Sequence, residues 1–99
     1  MKQKETTKTE YLDLWNAFKG LKSEKEFSSF LRDICTLKEI EDMSLRLSLA
    51  KDIDKGIDYR TLAKKYNTST TTVTRVSSWL HHGMGGYRLV LDRLKDIQH

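Results

Sequence analysis

No proline interrupts this chain, and its five glycines, Gly20, Gly56, Gly83, Gly85 and Gly86, stand as punctuation. Without proline, segments end where a glycine permits a left-handed turn or where the apolar pattern lapses. Helices joined by short turns are expected. Tyr11, Trp15 and Phe18 recur at three-to-four spacing, with Leu12 and Leu14 broadening the stripe, which predicts a helix over 9–19 that stops near Gly20. Ser23 followed by Glu26 has the form of a capping box, and Phe27, Phe30, Leu31 and Ile34 then share one face, so a second helix is expected over 23–35. Thr36 with Glu39 repeats the box and opens the longest helix, which meets no breaker before Gly56.

That third helix carries two apolar stripes. Leu37, Ile40, Met43, Leu47 and Ala50 make one, and Leu45, Leu49 and Ile53 make another. A short chain struggles to cover both, and the first two helices also carry surplus apolar surface, so a second copy of the chain is expected to supply packing surface. Beyond Gly56 the pattern shortens. Asp58 can cap a helix reaching Tyr66, Ser69 or Thr70 can start another reaching His82, and Gly83 to Gly86 leads into a last helix through Tyr87, Leu89, Val90, Leu91 and Leu94. The β-branched run from Thr68 to Thr74 has poor helix propensity, but no partner strand is in sight. The fold class expected is all-α, with about six helices and no strand. One domain spans 1–99: a helical dimerisation core over 8–56, a helix-turn-helix over 58–80 and a C-terminal helix over 86–98.

The distribution of charge says more than its total. Residues 1–56 hold 11 basic and 11 acidic side chains, whereas 57–99 hold 7 basic and 3 acidic, so the second half carries the whole excess of +4. Between Asp58 and Asp92 there is no acid, while Arg60, Lys64, Lys65, Arg75 and Arg88 are all present, and a polyanion would meet no local repulsion there. A single cysteine, Cys35, lies in an apolar run and reads as a small buried side chain. His81 and His82 are neighbours, about 100° apart on a helix, and do not form a chelating pair. No metal site is expected. No nucleophile–base set or phosphate-cradling loop is visible, so an enzyme is not expected. No stretch approaches the ~20 apolar residues of a membrane span, and Met1 to Glu5 lacks the apolar core of a secretory signal. A soluble cytoplasmic protein is expected.

A helix-turn-helix needs a small residue where two helices approach, a turn residue tolerant of positive φ, and apolar residues locking the pair. Between Tyr59 and Ser78, Ala63 is the small residue, Asn67 stands at the turn, and Leu62, Tyr66, Val73 and Val76 face inward. The second helix then exposes Thr70, Thr71, Thr72, Thr74, Arg75 and Ser78, short hydroxyls with one long cation, suited to close approach to a DNA groove. Arg60, Lys64 and Lys65 on the preceding helix are expected to meet the phosphate backbone.

Thr36-Leu37-Lys38-Glu39-Ile40-Glu41, Arg46-Leu47, Lys55-Gly56 and, above all, Thr70-Thr71-Thr72-Val73-Thr74-Arg75 resemble the Trp repressor superfamily, most closely its YerC/YecD group. The likeness runs over about two thirds of the chain. It implies an intertwined, all-helical homodimer whose helix-turn-helix pair enters successive major grooves of double-stranded DNA. It also implies an effector pocket, whose threonine and two arginines fall on Thr36, Arg46 and Arg75. Where the Trp repressor has glycine after the second arginine this chain has Val76, and Trp79 adds bulk one turn later. Free L-tryptophan is therefore not expected to act as cofactor, and another small effector or constitutive binding remains open. The function expected is a sequence-specific transcriptional regulator, a repressor; the alternative is a module docking on a larger regulator or polymerase. RNA is a weaker partner, because the basic half lacks a row of stacking aromatics.

Overall fold

The computed structural model describes residues 7–97, and among these it contains six α-helices and no strand. Met1 to Glu5, read above for a secretory signal, and Gln98, the expected last residue of the final helix, lie outside the described residues. The helices are α1 (Lys8–Lys19), α2 (Glu24–Ile34), α3 (Leu37–Asp54), α4 (Tyr59–Lys65), α5 (Thr70–His82) and α6 (Gly86–Ile97). The chain divides into two compact units, Met1–Ile40 and Glu41–His99, with the boundary inside α3.

In the first unit, Thr7 caps α1 and forms a complete capping box with Glu10, accepting from Glu10 N at 3.2 Å while Thr7 N donates to Glu10 Oε2 at 2.9 Å. Ser23 caps α2 by accepting from Glu26 N, but the Glu26 carboxylate reaches one residue further back, to Lys22 N at 2.9 Å. The Thr36–Glu39 box is complete, at 2.8 and 3.1 Å. Phe18 and Phe30 meet edge to face at 5.8 Å between centroids, and Tyr11 stacks along α1 on Trp15 at 6.2 Å. Neither α1 nor α2 buries a residue. Cys35, expected to be buried, is only half-buried: α2 ends there, and its N–H closes the last turn on Leu31 O.

The second unit has a closed core of Leu49, Ala50, Ile53, Leu62, Val73, Val76, Leu80 and Leu91, drawn from α3, α4, α5 and α6. Leu49, Leu62, Val73 and Val76 are its largest fully buried side chains. The two stripes of α3 separate accordingly. Leu49, Ala50 and Ile53 are buried near its C-terminus, whereas Leu37 and Met43 stay exposed nearer its start. At its end, Gly56 N bonds Ile53 O and Ile57 N bonds Asp52 O, with Gly56 at φ 86°. This paired closure requires a left-handed residue, which glycine adopts without a Cβ penalty. Asp54 and α6 are tied together by Arg88, which donates to both Asp54 oxygens at 2.8 Å, with Lys95 adding a contact at 3.3 Å.

Candidate nucleic-acid interface

Asp58 starts α4 by accepting from Thr61 N at 3.1 Å, and hydrogen bonds from the Thr61 hydroxyl and backbone hold its carboxyl below its ordinary pKa. The end of α4 repeats the closure seen at Gly56, with asparagine in place of glycine. Asn67 N bonds Lys64 O at 3.3 Å, Thr68 N bonds Ala63 O at 2.9 Å, and Asn67 takes φ 51°. Asn67 is the only non-glycine residue with positive φ among the described residues, at the turn where the sequence demanded one. Ser69 then caps α5, its Oγ accepting from Thr72 N at 3.0 Å. Between the two helices, Tyr59 at the start of α4 hydrogen-bonds the buried Ser77 of α5, and His81 Nδ1 lies 2.8 Å from Ser77 O.

The threonine run that threatened the helix reading is helical, started by the Ser69 cap, and its hydroxyls bond locally. Thr74 Oγ1 donates to Thr70 O at 2.9 Å, and Thr72 Oγ1 lies 3.0 Å from the capping Ser69 Oγ. Thr72 is half-buried against this cap, whereas Thr70, Thr71, Thr74, Arg75 and Ser78 are exposed. Thr71, Thr74, Arg75 and Ser78 follow three- and four-residue spacing, so they share one outward stripe of α5.

The cations of the acid-free stretch divide into two groups. Lys65 Nζ donates to Asp52 Oδ2 at 2.9 Å, and Arg88 is paired with Asp54 and Asp92. Arg60, Lys64 and Arg75 make no ion pair among the described residues. Arg60 and Lys64, one turn apart on α4, line a groove of about 470 Å³ together with Ala63, Asn67, Thr68 and Thr70. Sequence reasoning used Asn67 only as a turn residue and passed over Thr68. Its position just after that turn is the signal that would have placed it in the groove.

Asp52 is nearly buried, and the Tyr66 hydroxyl, then the Lys65 ammonium, hold its carboxyl below the ordinary value. The same contacts push Lys65 and Tyr66 upward. Of the residues expected around an effector, Thr36 lies in the first unit and caps α3, Arg46 is half-buried on α3, and Arg75 is exposed on α5. Burial raises the Tyr87 hydroxyl, and the Arg46 charge opposes this. Val76 is fully buried in the core, and Trp79, about half exposed, lines an apolar groove of about 510 Å³ with Leu47, Tyr87 and Val90.

The family described as Trp repressor protein matches residues 9–95, nearly the whole described chain. The chain belongs to the Trp repressor family. Members of this family are helix-turn-helix DNA-binding regulators rather than enzymes, as α4, the Asn67 turn and α5 lead one to expect. Among its relatives, the uncharacterized protein YerC of Bacillus subtilis strain 168 is 33% identical over 85 residues, covering 86% of this chain and 82% of that protein. The crystal structure of a TrpR-like protein from Eubacterium eligens superposes with a TM-score of 0.81 at 35% identity, covering 90% of this chain and 91% of that one. A candidate Trp repressor from Staphylococcus aureus gives 0.77 at 33% identity, covering 91% and 96%. The Trp repressor fold expected from the threonine-rich segment is the fold observed. No described helix is long and apolar enough to cross a membrane, and no described cluster of His, Cys, Asp and Glu could hold a metal ion.

Proposed function

We propose that this protein is a sequence-specific transcriptional repressor that binds double-stranded DNA in the cytoplasm as a homodimer. The observation that carries the reading is the helix-turn-helix itself, where Arg60, Lys64 and Arg75 make no ion pair among the described residues beside the outward hydroxyl stripe of α5. Arg60 and Lys64 hold phosphates and set how tightly any duplex is bound. Thr70, Thr71, Thr74, Arg75 and Ser78 approach base edges, where hydroxyls bond phosphates or bases and threonine methyls meet thymine methyls. Thr72 contributes through its bonds to the Ser69 cap on the first turn of α5.

The dimer is supported by α1 and α2, which leave Tyr11, Leu12, Trp15, Phe27 and Ile34 exposed in one chain. A second copy that covers them sets two recognition helices about 34 Å apart, one turn of DNA. Free L-tryptophan is not the controlling ligand in this reading. Trp79 adds its own indole to the apolar groove lined by Leu47, Tyr87 and Val90, and the hydroxyl of Thr36 accepts the helix-capping bond from Glu39 N. Binding is then constitutive or answers to another small molecule.

Selection of bound fragments from a genomic library tests the proposal, and the expected product is a palindrome with half-sites one helical turn apart. Recovery of fragments with no common sequence would refute sequence-specific recognition. Calorimetry with L-tryptophan, paired with DNA binding in its presence, tests the effector: micromolar affinity together with tighter DNA binding would overturn that part.

A further inference from the structure

Lys64 and Lys65 are neighbours with the same side chain, yet the fold treats them differently. Successive residues on a helix point about 100° apart, so the rotation of α4 about its axis decides which of the two faces the groove. Asp52 binds the C-terminal end of that helix. Its Oδ2 accepts from Lys65 Nζ at 2.9 Å and from the Tyr66 hydroxyl at 2.7 Å, two consecutive residues at the C-terminal end of α4 held by one oxygen. The Asp52 side chain is only 8% exposed and sits among Leu49, Ala50 and Ile53 of the core-facing part of α3. A carboxylate buried there keeps its charge only while it is paired, and Lys55 Nζ, 4.0 Å from its other oxygen, is a third partner. With Lys65 held against α3, Lys64 lines the groove beside Arg60, Asn67, Thr68 and Thr70.

We infer that Asp52 and Lys65 are positioning residues for DNA recognition: Lys65 is not a phosphate contact, and its pairing with buried Asp52 sets the Asn67 turn from which α5 projects, while buried Leu62 and the Tyr66–Asp52 bond keep Lys64 at the groove. The inference rests on the DNA-binding reading and replaces the sequence-based role of Lys65 as a backbone contact.

The test measures binding to a random-sequence duplex across a salt series, and to a duplex recovered by selection with the unaltered protein. Lys64→Met should flatten the dependence of log affinity on log salt by about 0.9 for each phosphate that is no longer neutralised. Lys65→Met should leave that slope unchanged while reducing the preference for the selected duplex by about tenfold, the discrimination that one well-placed base contact supplies. Lys65→Arg, which can still pair with Asp52, should restore the preference. If Lys65→Met does not fold, the double variant Asp52→Asn/Lys65→Met, which removes both charges together, carries the same slope measurement.

Flattening of the slope by loss of Lys65 as large as that by loss of Lys64 would overturn the inference, as would full retention of preference in Lys65→Met. Failure of the unaltered protein to bind any duplex would instead overturn the DNA-binding reading, and this inference with it.

Discussion

The two units of this chain solve the same problem in opposite ways. From Glu41 onward, four helices close a core in which Leu49, Leu62, Val73 and Val76 are wholly shielded from solvent. Up to Ile40, helices with equally apolar stripes bury nothing, and Trp15 remains 50% exposed. Composition does not explain the contrast, because both units have amphipathic helices with sound caps. The difference is the number of faces available to cover each stripe. The second unit packs α3, α4, α5 and α6 around one centre, whereas the first has two helices and the exposed start of α3. Its stripe is suited to an interface between copies, and its exposure in one chain is the physical content of the dimer proposal.

The largest expected effect tests the closed side. Leu62→Ala should cost about 2–5 kcal/mol in urea denaturation, because it opens a cavity in a fully buried site. A loss below ~1 kcal/mol would mean that the core is looser than its burial indicates. Next comes the open side. Trp15→Glu should convert dimers to monomers in sedimentation at micromolar concentration, and the unaltered protein should unfold at a midpoint that rises with concentration. A midpoint independent of concentration would break the comparison, since the open unit would then need no partner.

A smaller effect lies at the seam between α3 and α4. Asp52→Asn should destabilise by about 1.5–3 kcal/mol near neutral pH, the scale of hydrogen bonds made to a charged group. Because the folded protein holds the Asp52 carboxyl below its unfolded value, its stabilisation is present above the ordinary carboxylate pKa of about 4 and is lost as pH falls through the folded value. The variant and the unaltered protein should therefore converge in stability in acid, measured by urea melts across a pH series. A gap that persists or widens there would assign the effect to packing. The smallest change is Tyr59→Phe, which removes one hydrogen bond to Ser77 and should cost about 0.5–1.5 kcal/mol.

Much of this was legible in the sequence because the signals were local. Capping at Ser23 and Thr36, the stop at Gly56 and the left-handed turn at Asn67 depend on residues within a few positions of one another. The outward threonine stripe followed once Val73 and Val76 were assigned to the core. What could not be read was partnership over distance. Lys65 and Asp52 are 13 residues apart, Arg88 and Asp54 are 34 apart, and nothing local distinguishes these cations from Arg60 and Lys64. The acid-free stretch therefore overstated the charge offered to a polyanion. The cap at Thr7 was missed for a different reason: its box with Glu10 begins before the apolar stripe that marked the helix.

The central claim is that Arg60, Lys64 and Arg75, two copies of each in a dimer, meet the phosphates and bases of duplex DNA. Affinity of the unaltered protein for a duplex measured against salt tests it most directly. With about 0.9 counterions released per phosphate contact, the two copies each of Arg60 and Lys64 predict a log–log slope near −4, flattened when Arg60 and Lys64 are both replaced by Ala. Absence of duplex binding at low salt, or a slope that does not respond to that double replacement, would contradict the account.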